Sequence, residues 1–148
     1  MEELFGLPAH PLLIHFPIVA IPTLTILTII AALRPSFRSR YGLPIFALAV
    51  VTTIATFLAA QAGIALANTY ANADIIDTHR ALGETLRLIV LGLLVAFGIM
   101  LVADRRSENN RDPLTVLSAV GVLALAVLSA IWTVRTGHEG ASVTWGFR

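Results

Sequence analysis

The chain has 148 residues, 57% of them hydrophobic and only 13% charged, with a net charge of +1 and a mean hydropathy of +0.83. Soluble domains carry about a quarter charged residues and nucleic-acid binders a basic field, so neither class fits. Cysteine is absent and all ten basic residues are arginine, which excludes disulfides, thiolate zinc sites, iron–sulphur clusters held by this chain and covalent c-type haem.

The first apolar run opens with HPLLIHFP, residues 10–17, and extends from Leu12 to Leu33. Glu2 and Glu3 precede it without an arginine, the reverse of the basic start of a cleavable signal. Pro11 suits a first helical turn. Pro17 and Pro22 would lie inside the helix and deprive the carbonyls of Leu13 and Ile18 of intrahelical donors. A helix beginning instead at Pro17 would leave His15 just outside it. Either way an irregular turn stands beside His15. His10, in a terminus taken as flexible, is the least suited of the histidines to be a ligand.

The second span is Gly42 to Ala67. Ala55, Ala59, Gly63 and Ala67 recur every four residues, a small-residue face that lets another helix approach closely. Packing within the chain is the first use expected of it, and a homodimer seam the second. The third span, Leu82 to Ala103, follows His79 and Arg80 and carries Glu84 and Arg87 near its start. Arg80, Glu84 and Arg87 share one helix face, and His79, Gly83 and Arg87 an overlapping one. Charges this close to hydrocarbon are expected to be paired or wet. They read either as an interfacial ion-pair stripe or as a vestibule for an anionic group. The fourth span, Pro113 to Val134, is uncharged. Residues 137–148, with glycines at 137, 140 and 146, read as a loop folding back over the same end.

Each apolar run is close to the ~20 residues that cross a ~30 Å hydrocarbon core, and none alternates like a strand. The expectation is an all-α integral membrane four-helix bundle, up-down-up-down. The first connection carries Arg34, Arg38 and Arg40, and the third Arg105, Arg106 and Arg111. The positive-inside rule then puts both termini on the outer face. Because the spans alternate, His10, His15, His79 and His138 all fall at one face however the chain is inserted. Asp74, Asp77, Glu84 and Glu139 share it.

The elements HPLLIHFP, the histidine opening the third span, and RTGHEGASVTWG after the fourth resemble a widespread bacterial family of small four-helix membrane proteins, domain of unknown function 2231. The likeness covers nearly the whole chain, and its most specific parts are His10-Pro11, His15-Phe16-Pro17 and Gly137-His138-x-Gly140-Ala141. The resemblance implies a multi-pass protein of the bacterial plasma membrane. Members are sometimes joined to Rieske-type or cytochrome-type redox domains, which implies a role in electron transfer; the family brings no catalytic residues.

Three functions remain open on the sequence. A b-type haem could be held by two of His15, His79 and His138, with Arg80 and Arg87 beside it, exchanging electrons with a quinol or a redox partner protein. A divalent metal such as zinc or copper could be held by His15, His79, His138 and Glu139. A scaffold or partner subunit would use the histidines structurally. No nucleophile–base spacing, paired carboxylates or phosphate loop supports an enzyme.

Overall fold

The computed structural model describes residues 3–4, 7–67, 74–106 and 113–145. Two two-residue strands, β1 (Glu3–Leu4) and β2 (Leu7–Pro8), pair antiparallel ahead of the helices. The helices are α1 (Ala9–Leu13), α2 (His15–Leu33), α3 (Pro35–Ala67), α4 (Asp74–Arg106) and α5 (Pro113–Trp145). Segments 9–33, 35–67, 77–106 and 113–142 are each long and apolar enough to cross a membrane.

α1 and α2 are nearly one helix. The Ile14 N–H donates to the His10 carbonyl and the Ile18 N–H to the Ile14 carbonyl, both at 3.1 Å. The irregularity at Ile14 lies where Pro17 denies Leu13 its usual donor. His10 and Pro11 are thus in the first helical turn, which settles the start of the helix at Ala9 rather than at Pro17.

The first arginine stretch is helical instead of a loop. Arg34 is extended (φ −126°, ψ 96°), as the residue before a proline tends to be. Pro35 then opens α3, a position where its missing N–H costs little. That missing N–H also leaves the Ala31 carbonyl, four residues back, without a helical donor. The Arg38 guanidinium supplies one: Nη1 donates to Ala31 O at 3.1 Å. Its Nη2 pairs with Asp104 at the end of α4. Arg38 is 2% exposed and Asp104 13%, so a charge counted for its effect on orientation is a buried tie between helices.

The main core joins all four long helices through Leu24, Ala31, Ile45, Ala49, Phe97, Met100, Val122 and Ala126. The outside is as apolar as the inside: Val19, Leu117 and Val134 are 67%, 70% and 72% exposed. In water such a surface would drive aggregation; in lipid it is the expected exterior. The buried polar residues are mainly threonine and serine, and Thr28, Thr53, Thr56 and Ser129 bond to carbonyls one turn back in their own helices. These hydroxyls need no water, as a membrane interior requires.

α5 departs from the sequence expectation at its end. Residues 137–145 continue the helix instead of folding back as a loop. The glycines there are not breaks, because the helix packs on α4 along its length and Gly140 provides a seat for a side chain of α4.

Candidate functional site

Two histidines meet at the end of the molecule opposite the Arg38–Asp104 pair. His10, from α1, and His79, from α4, have ring centres 6.1 Å apart with planes at 79°. His10 Nδ1 lies 2.8 Å from the Ala59 carbonyl of α3. His79 Nδ1 lies 3.0 Å from the Thr136 carbonyl of α5. A carbonyl only accepts, so both Nδ1 atoms carry the proton, and in the neutral ring each Nε2 keeps its lone pair.

The two seats follow one rule. In a helix the carbonyl of residue i points toward residue i+4, whose Cβ leans back over it. Ala59 is followed at i+4 by Gly63, and Thr136 by Gly140. With no Cβ in the way, an imidazole can reach the carbonyl's second lone pair. The fit is close: a Cβ on Gly63 would stand 2.9 Å from His10 Cε1 and Nδ1, and one on Gly140 2.9 Å from His79 Cε1. Gly137 is the contrast within the same turn, since a Cβ there would meet nothing within 4 Å. Gly137→Ala is therefore expected to leave stability unchanged or raise it by about 0.5–1 kcal/mol, measured by thermal unfolding in detergent.

His10, set aside on the sequence, is thus half of the pair. His79 is the other half, set beside His10 and not beside His15 or His138. His15 and His138 are exposed. With α5 helical to its end, His138 is not folded over the histidine pair. Among the described residues no three His, Asp or Glu side chains are grouped to hold a metal ion, so His15, His79, His138 and Glu139 are not gathered into one site. Arg80 is exposed and pairs along its own helix with Glu84 at 3.4 Å. Arg87 lies over the Phe57 ring at 5.5 Å, and its Nε is buried without a partner among the described residues. Trp132 Nε1 and Thr136 Oγ1 are buried and unpartnered in the same way.

The small-residue face of α3 has an occupant within the chain. Ala59 is 6% exposed, and Gly63 is covered by the His10 ring. This stretch is used for internal packing and is not a free seam for a second copy. The spacing made Gly63 legible as a close-approach position; that its visitor is an imidazole was not legible.

Comparison with curated proteins and with solved structures found no match in either. A family described as predicted membrane protein (DUF2231) matches residues 6–148. With four helices of membrane-spanning length and a match over nearly all of its length, this chain belongs to the DUF2231 family of membrane proteins.

Proposed function

We propose that this protein is a small electron-transfer subunit that holds one b-type haem iron between His10 and His79 on the outer side of a bacterial plasma membrane. The observation that carries this reading is the pair itself: two imidazoles, each fixed by a backbone carbonyl as the Nδ1–H tautomer, with ring centres 6.1 Å apart. Metal-bound histidines commonly donate their other N–H to such a carbonyl. The two free Nε2 atoms would hold the iron. Tetrahedral zinc would need further ligands, and among the described residues no group of three His, Asp or Glu side chains includes the pair. The haem would supply one-electron exchange; the chain would supply the two ligands, their orientation and a dry surround.

In this reading the helices run up-down-up-down and the arginines at the Arg38 end face the cytoplasm. That end has no histidine, so the chain exchanges electrons on one side only, with a quinol or an outer redox protein. A second reading is favoured by the same hydrogen bonds. His10 ties α1 to α3 and His79 ties α4 to α5, so the pair could serve as two structural staples with no cofactor. The test is the dithionite-reduced minus oxidised absorption spectrum of protein purified from haem-replete cells. The haem reading expects a Soret shift with sharp α and β bands. A flat spectrum, persisting after haem is added back, leaves the staples.

A further inference from the structure

We propose a second site, in the seam between α3 and α4, where Arg87 takes a phosphate-type oxyanion from a phospholipid headgroup or from free phosphate. The seam is filled at successive levels. Arg38 meets Asp104, and a Cβ on Gly42 would stand 2.6 Å from Leu101 Cδ2. Phe46 closes on Gly98, 3.1 Å from where its Cβ would stand. Phe57 lies under Arg87. At the far end His10, seated on Gly63, meets His79. Gly83 lies between the last two levels, four residues after His79 and four before Arg87, and so shares their face. It is half-buried, yet among the described residues a Cβ there would meet nothing within 4 Å, which leaves a gap between them at this level.

Arg87 stands one turn away on the same face of α4. Its guanidinium rests on Phe57 at 5.5 Å, and its Nε–H is buried with no acceptor among the described residues. The group stays charged in proteins and presents five donors in a rigid fork. It lies about 12 Å along α4 from His79, at 1.5 Å per residue, inside the apolar part of the span. Charge at such depth calls for a partner. Glu84, on the same helix, is engaged with Arg80 instead. A half-buried guanidinium with an unpartnered Nε–H, an aromatic floor and a gap one turn away suit an anionic oxygen acceptor, and phosphate oxygens match the guanidinium fork. Leu88 and Leu91, 60% and 38% exposed, turn the surface of α4 beside Arg87 toward lipid. The site needs neither imidazole nitrogen and does not depend on the haem reading.

The experiment is native mass spectrometry of the detergent-purified full chain, titrated with phosphatidylglycerol, with diacylglycerol, which lacks the phosphate, and with inorganic phosphate. One adduct per chain is expected for the phosphate-bearing probe, weakened at least tenfold in both Arg87→Gln and Gly83→Leu. Gly83→Leu grows into open space, so it tests the site even if Arg87→Gln folds poorly. Binding of phosphatidylglycerol that inorganic phosphate cannot displace assigns the lipid; displacement, or binding of phosphate alone, assigns the free anion. The proposal is overturned if neither probe binds, if diacylglycerol binds as tightly as phosphatidylglycerol, or if both variants bind as the parent does.

Discussion

Asp104→Ala is expected to destabilise the protein by about 3–5 kcal/mol, the largest loss of any single substitution considered, because it strands a buried guanidinium. Arg38 is almost fully enclosed, at 2% exposure. It already spends Nη1 on the Ala31 carbonyl, and its Nε has no partner among the described residues. Removing the carboxylate leaves no compensating charge among its hydrogen-bond partners. Arg38→Met with Asp104→Leu removes both charges and keeps much of the volume, so the double variant should regain most of the loss. Unfolding titrations of the parent, Arg38→Met, Asp104→Leu and the double variant, in one detergent, measure the coupling between the two residues. Additive losses would show that the pair contributes through packing alone.

Gly63→Ala should unseat His10. The new methyl would stand 2.9 Å from the ring, and the ring cannot slide away without giving up its 2.8 Å bond to Ala59. Overpacking of this kind costs about 1–3 kcal/mol, and α1 loses its tie to α3. Gly140→Ala should do the same to His79, whose ring is equally close. Limited proteolysis near α1 and thermal unfolding check the first; both variants should also lose any bound haem while the long helices remain. Stability equal to the parent in both would mean that the histidines are not held as described.

The four spans were legible because lipid-facing and core-facing residues are alike apolar, which makes each run unmistakable. Their ends were not. The stretch 35–41 looked like a loop because it is polar, yet Pro35 is a good helix opener and Arg38, Gly42, Ile45, Ala49, Thr52 and Thr56 fall on one buried face. That spacing was a usable sign that Arg38 points inward. Asp104 extends the buried series Leu93, Phe97 and Met100–Leu101 by one turn in the same manner. The end of α5 was misread because glycine usually marks a break; here Gly140 clears a carbonyl for His79.

The histidine pair was half legible. Alternating spans put all four histidines at one end, but which of them meet depends on side-chain direction and on seats in distant helices. His15 seemed the better candidate because it borders the apolar run, whereas His10 has the glycine opposite it. A histidine before one span and a glycine near the end of the next recur in both halves of the chain, as His10 with Gly63 and His79 with Gly140. That recurrence was the sign available in the sequence.

The most direct test of the central claim is haem content per chain in His10→Ala, His15→Ala, His79→Ala and His138→Ala, purified alongside the parent from haem-replete cells. The account predicts that His10→Ala and His79→Ala lose the haem, while His15→Ala and His138→Ala keep the parent's stoichiometry. Retention in the first two with loss in either of the others would contradict it.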